Sequence, residues 1–325
     1  MPFPYRSAFV QLVTVITLSL SLMGCGARSE AGSMTAALDG TITISGAFAL
    51  YPMMIRWAEE YHSLHPNVTF DISAGGAGKG MADALSGAVD IGMVSRPIFK
   101  EEIEKGAFWV AVAKDAVVVT VNTRNPVLDQ LLAQGLTRDT AEDIWITGET
   151  TTWGQMVGRG DADAIHVYTR ADACGAAQTW AQYLGDYSQE DLQGIGVQAD
   201  PGVAEAVSRD ELAIGYNNLN FAYDAENGKV VQGIQVVPLD IDGSGKIDPH
   251  EGFYETKADL VQAISEGRYP SPPSRALHLV TKGQPPGLVS AFIEWVMTEG
   301  QACLDEVGYV TLSHEQLDEG LSRLR

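Results

Sequence analysis

Short apolar runs alternate with helical patterns over nearly the whole chain, and this alternation restricts the fold more than any other feature. Thr41 to Ser45 reads as a strand, Tyr51 to His62 as a helix, Val68 to Ile72 as a strand and Gly80 to Ser86 as a helix. Val89 to Val94 follows as another strand, and Ala116 to Val121 is a β-branched run of the kind a buried parallel strand shows. Further strands are expected at Ile165 to Tyr168, Leu212 to Tyr216, Ile234 to Leu239 and Ala276 to Val280. Helices are expected at Ala176 to Leu184, Gly202 to Val207, Thr256 to Ser265 and Pro286 to Thr298. Such alternation stacks as α/β layers on a mixed, mostly parallel sheet. A body of roughly 285 residues exceeds the size at which one core keeps growing, so two lobes are expected.

The first residues stand apart from this pattern. After Arg6, Phe9 to Leu22 is an apolar run too short to span a membrane permanently, closed by Leu22-Met23-Gly24-Cys25. That tetrapeptide resembles the bacterial lipobox, so residues 1–24 read as a lipoprotein signal peptide and Cys25 as the lipidated first residue of an exported protein. Residues 25–39 are small and polar and suit a tether. Two further cysteines, Cys174 and Cys303, leave pairing open and indicate no disulfide framework. With 42 Asp and Glu against 21 Lys and Arg, the net charge of −21 gives a field of the wrong sign for nonspecific nucleic-acid binding.

Open α/β sheets bind ligands where strands end and helices begin, and four such loops stand out. Gly46, Ala47 and Phe48 follow the first strand and lead to Pro52, offering amides to an anion at a helix start. Gly75 to Gly80 holds four glycines around Gly78 and Lys79, a phosphate-cradle composition without Walker spacing. Ser95-Arg96 follows the third strand. Arg170, Asp172, Cys174 and Gly175 form the fourth loop, in which a planar guanidinium can meet a tetrahedral oxyanion and Asp172 can orient it. Taken separately, each arginine reads first as a member of a surface ion pair, and it is the four loops together that point to an anion.

Together these segments resemble the phosphate-binding proteins of bacterial ABC importers, within the type II periplasmic binding proteins. The resemblance rests on Ser45-Gly46 running to Tyr51-Pro52 and on Ala84 to Gly92 with Ser95-Arg96. Ile144 to Gly148 with Thr152-Trp153-Gly154, and Arg170-x-Asp172-x-Cys174-Gly175-Ala176, extend it into the second half; Tyr269-Pro270 with Arg275 to Gly283 is a weaker match. It implies two lobes, residues 40–118 with 276–325 and residues 119–275, closing on phosphate, with no enzymatic chemistry. The protein would act as a monomer that delivers its ligand to the membrane subunits of an ABC importer. Departures are informative. Ala47, Phe48 and Ala49 replace hydroxyl residues of the family's first loop, and Cys174-Gly175-Ala176 replaces its Ser-Gly-Thr. Arg96 stands where some members carry an acidic acceptor, which leaves sulfate, molybdate, tungstate or an organic phosphate open as ligand.

Asp240 to Glu251 fits the twelve-residue EF-hand loop. Asp240, Asp242, Ser244, Lys246 through its carbonyl, Asp248 and Glu251 supply the oxygens that Ca²⁺, a hard cation, requires. The preceding segment reads as a strand, so an isolated structural calcium loop is expected. Two competing readings are a calcium-dependent sensory or adhesion module and an enzyme using Cys174 as nucleophile with His166 as base.

Overall fold

The computed structural model describes residues 38–160 and 162–325. Cys25, the leader and all but the last two residues of the tether lie outside them. Nine strands are present among the described residues: β1 (Gly40–Gly46), β2 (Val68–Ala74), β3 (Ile91–Val94), β4 (Ala107–Asn122), β5 (His166–Arg170), β6 (Ile195–Val197), β7 (Ala213–Asn218), β8 (Ile234–Val237) and β9 (Ser274–Lys282). The longer helices are α1 (Tyr51–Leu64), α2 (Ala77–Ser86), α3 (Gly175–Leu184), α4 (Ala199–Arg209), α5 (Lys257–Ser265), α6 (Gly287–Met297) and α7 (His314–Leu324).

The strands order as β2-β1-β3-β9-β4-β7-β5-β6, with β8 also on β4. Pairing is parallel among β2, β1 and β3 and among β7, β5 and β6, whereas every partner of β4 and β9 is antiparallel. The sheet is therefore mixed in equal parts, and the run Ala116 to Val121 lies in an antiparallel strand rather than the parallel one its composition suggested. β-Branched runs report burial on both faces, and Val117, Val118, Val119 and Val121 are all buried, but burial does not fix strand direction.

The 16-residue β4 runs through both halves of the molecule. Its first part, Ala107 to Ala116, is registered with β9 from Lys282 back to Ser274, interrupted by a register shift between Ala111 and Ala113. Its second part pairs with β7 and β8. Two large hydrophobic cores result, the two lobes of a type II periplasmic-binding fold, with a smaller cluster of Val203, Val207, Ala213 and Ile234 beside them. One gathers Trp57, Met93, Val110, Leu279 and Phe292; the other gathers Val118, Trp145, Trp180, Tyr216 and Tyr254.

Helix α2 sits unusually close to the sheet. A Cβ built on Gly46, where φ is +133°, would lie 2.8 Å from the Gly80 Cα, and one on Gly92 would lie 2.8 Å from the Gly80 carbonyl carbon. Three glycines thus let α2 rest directly on β1 and β3. The C-terminal helix α7, which periodicity alone did not reveal, is announced by a capping box: the Ser313 hydroxyl accepts from the Gln316 amide.

Candidate functional site

Arg170, the last residue of β5, has a side chain only 1% exposed and is held by two carboxylates. Its Nε donates to Asp172 Oδ1 at 2.8 Å, its Nη2 to Asp172 Oδ2 at 2.5 Å and its Nη1 to Asp200 Oδ2 at 2.5 Å. Burial works against the charge, but Asp200 and then Asp172 more than offset it, so the guanidinium stays protonated. A guanidinium has five N–H donors. Three are engaged here, which leaves one on each terminal nitrogen for a ligand. Asp172 itself is kept below the usual carboxylate range, burial being outweighed by Arg170.

Arg170 lines a narrow cleft together with Phe48, Ala49, Gly76, Ala77, Ser95, Cys174, Gly175, Ala176, Asp200 and Asn218. Three chain segments enter it as helix starts: the turn before α1, the start of α2 and the start of α3. First-turn amides of a helix have no acceptor within it and point outward, so Ala77, Gly175 and Ala176 bring donors and positive dipole ends to one place. The space is closed by direct contact between the lobes. Gly78 N donates to Ala173 O at 3.1 Å, and a Cβ on Gly175 would lie 2.6 Å from the Ser95 carbonyl carbon. With the lobes in direct contact, the cleft is too narrow for a drug-sized ligand.

The structure brings Phe48, Ser95, Arg170, Asp172, Cys174 and Gly175 together and uses the other expected residues differently. The Ala47 amide donates to Met93 O at 2.9 Å, and the Gly46 carbonyl accepts from Gly75 and Gly76. Gly78 serves lobe contact. The Lys79 ammonium pairs with Asp83, one helical turn away. Arg96 makes a fork-to-fork pair with Glu102, at 2.7 and 2.9 Å, and stacks 4.3 Å from the Phe99 ring. Neither Lys79 nor Arg96 lines the space. Asp200 and Asn218 were not picked out from the sequence. Both lie where the strand-end rule points, but β6 is only three residues long and β7 continues two residues past its expected end.

Cys174 is buried and caps α3, its Sγ accepting from Ala177 N at 3.3 Å. Burial pushes its thiol up to about 12, which keeps it protonated and a poor nucleophile. His166 is bound to Asp210 Oδ2 at 2.7 Å, at the other end of β5, so no Cys–His pair forms. Cys174 and Cys303 are both free.

The acidic loop lies in the second lobe. Asp240 and Glu251 are buried, and Asp240 accepts from the amides of Ser244 at 3.1 Å and Gly245 at 2.8 Å. Glu251 Oε1 accepts from Ile241 N at 2.8 Å, and Ser244 N donates to Asp242 Oδ1 at 3.0 Å. Ligand-type atoms of Asp242, His250 and Glu251 lie within 4.8 Å of one another, His250 being an addition to the expected set. Lys246 Nζ pairs with Asp248 at 2.8 Å. The loop is fastened to the lobe by Ile247 N donating to Ala133 O and Asp240 N to Leu136 O.

Two lobes closing on a small cradle of helix starts around one arginine define a binding protein of the type II periplasmic class. A family model described as PBP superfamily domain matches residues 31–299, and the chain belongs to that superfamily. The phosphate-binding protein PstS of Bacillus subtilis (strain 168) is 26% identical over 277 residues, covering 85% of this chain and 82% of that one. A structure from Clostridium perfringens solved with bound phosphate aligns with a TM-score of 0.67 at 23% identity, over 84% of this chain and 100% of that one. An ABC-type phosphate transport receptor from Vibrio cholerae aligns at 0.61 and 21%, over 84% and 100%. The two alignments carry the fold; the resemblance found in the sequence motifs is borne out by the relatives. Among the described residues, no helix is long and apolar enough to cross a membrane.

Proposed function

We propose that this protein captures inorganic phosphate outside the cytoplasm and passes it to the membrane subunits of an ABC importer. The observation that carries this reading is Arg170, which keeps two guanidinium N–H groups beyond those engaged by Asp172 and Asp200 and lines a narrow cleft that three helix starts share. Two parallel N–H donors match two oxygens of a tetrahedral oxyanion, and the amides supply the rest. No bond need form or break there, so binding rather than catalysis is the function. Calorimetric titration of the body with phosphate tests it: saturable one-to-one binding is expected, and the absence of any oxyanion binding would sink the reading.

In this reading the chain is exported, acylated at Cys25, tethered to a membrane and active as a monomer. Cys25→Ser is expected to move the protein from the membrane to the soluble fraction, and unchanged membrane retention would remove the anchor from the account.

The acidic loop holds one structural Ca²⁺, supported by the EF-hand spacing and by two buried carboxylates, Asp240 and Glu251, for which no basic side-chain partner appears among the described ion pairs. Calcium at a hundredfold excess over its dissociation constant stabilises a fold by about 2.7 kcal/mol. Chelation is therefore expected to lower the melting temperature by roughly 5–10 °C, given about 2–4 °C per kcal/mol in domains of this size. Identical melting curves with calcium and with chelator would exclude the site.

A further inference from the structure

Arg275 does not line the anion cleft, yet the fold buries its charge on β9, directly opposite Asp115 of β4. This step belongs to the stretch where the two strands pass from the first lobe to the second. The Arg275 side chain is 5% exposed and that of Asp115 1%, and the two lie 3.5 Å apart. Well-packed apolar side chains of similar volume are often as stable as a buried pair of this kind, or more so. The value of the charge at this place therefore lies in what the guanidinium holds.

A guanidinium is planar, so the groups bonded to it are fixed relative to one another. Arg275 Nη1 donates to Thr179 Oγ1 at 3.1 Å, in α3, the helix whose start enters the cleft. Its Nη2 donates to Asn218 Oδ1, at the end of β7. Asn218 lines the cleft, and a half-turn of its side-chain amide would exchange its acceptor for its two donors. An N–H at Oδ1 decides between the two orientations. It turns Nδ2 to Asp200, where Nδ2 donates to Oδ1 at 2.6 Å; the other oxygen of Asp200 accepts from Arg170 Nη1 at 2.5 Å. With the amide reversed, the Asn218 carbonyl would oppose the Asp200 carboxylate, and one of the holds on Arg170 would loosen.

We infer that Arg275 is a positioning residue of the binding site, which from the crossing strand sets the Asn218 amide and, through Asp200, the guanidinium of Arg170. The inference rests on the proposed binding of an oxyanion at Arg170 and adds that the second-lobe half of the site is oriented from the hinge.

At metal sites, partners that orient a ligand from behind cost about 10- to 100-fold in affinity when removed, and the same order is expected here. Calorimetry with inorganic phosphate is the test, on the wild type, Arg275→Lys, Asn218→Ala and the double variant. Arg275→Lys keeps a cation beside Asp115 but has no planar fork to hold Thr179 and Asn218 together. Circular dichroism establishes that each variant is folded at the temperature of titration. Arg275→Lys is expected to bind phosphate about tenfold more weakly or worse, and a smaller loss overturns the inference. In the Asn218→Ala background the same change is expected to cost at least about threefold less, because residues acting through one another are not additive. A residue that only supports the fold would lower the melting temperature and cost the same in both backgrounds, so an equal cost overturns the inference as well. Should Arg275→Lys not fold, Thr179→Val takes its place, removing one acceptor of the guanidinium without touching a charge or the cleft lining. A loss of about threefold or more is then expected, and unchanged affinity overturns the inference. Absence of phosphate binding by the wild type removes the underlying reading instead.

Discussion

Arg170→Ala is expected to abolish phosphate binding in calorimetric titration. Two charge-assisted hydrogen bonds contribute on the order of 3–6 kcal/mol together, which corresponds to a loss of about 10²- to 10⁴-fold in affinity. The loss is compounded because Asp200, which lines the cleft, remains there without its counter-ion. The same change strips a buried carboxylate of its partner, which costs about 3–5 kcal/mol of stability, so loss of binding could reflect loss of fold. Arg170→Lys separates the two effects. It retains a positive charge for Asp200 but has no planar fork to offer two oxygens. A folded Arg170→Lys protein that binds phosphate within tenfold of wild type would show that the fork is not the anchor.

The second large effect is on stability, at Gly92. An added Cβ there would run into the carbonyl of Gly80 and meet Ala84 Cβ at 3.0 Å, and neither backbone nor helix can yield without lifting α2 from β3. Overpacking of this kind costs about 1–3 kcal/mol, and a backbone collision belongs at the upper end or beyond. Gly92→Ala is expected to lower the melting temperature by roughly 6–12 °C. It should weaken phosphate binding in parallel, since α2 carries Gly76 and Ala77 into the cradle. A melting temperature within 2 °C of wild type would mean that α2 is seated elsewhere than the glycine contacts indicate.

What could be read from the sequence divides along physical lines. The four anion-suited loops were legible because a strand, a small-residue turn and a helix start are all local signals. The fates of Lys79 and Arg96 depended on carboxylates four and six residues further on, Asp83 and Glu102, whose spacing is visible once charge pairs are sought. Asp200 and Asn218 were out of reach because their strands gave a weak pattern and because their value lies in converging with Arg170 from three separate elements. The direction of β4 was equally hidden: its valines announce burial, whereas the return path along β9 is a property of the whole topology. The acidic loop was fully legible as a motif, since its ligands fall within twelve residues.

β4 and β9 pair from Ala107 opposite Lys282 to Ala116 opposite Ser274, mostly within the first lobe, and pass to the second lobe side by side at the last steps, Lys114 opposite Ala276 to Ala116 opposite Ser274. A ladder of this kind resists stretching and shear far more than it resists torsion, so the lobes behave as two plates on a torsion bar rather than two beads on a string. Opening is a rotation of few degrees of freedom, and its arc is bounded by the ladder. Little chain entropy is surrendered on closing, in contrast to domains joined by a flexible linker. In the proposed role, torque applied to both plates by a membrane partner would release the anion without unfolding anything.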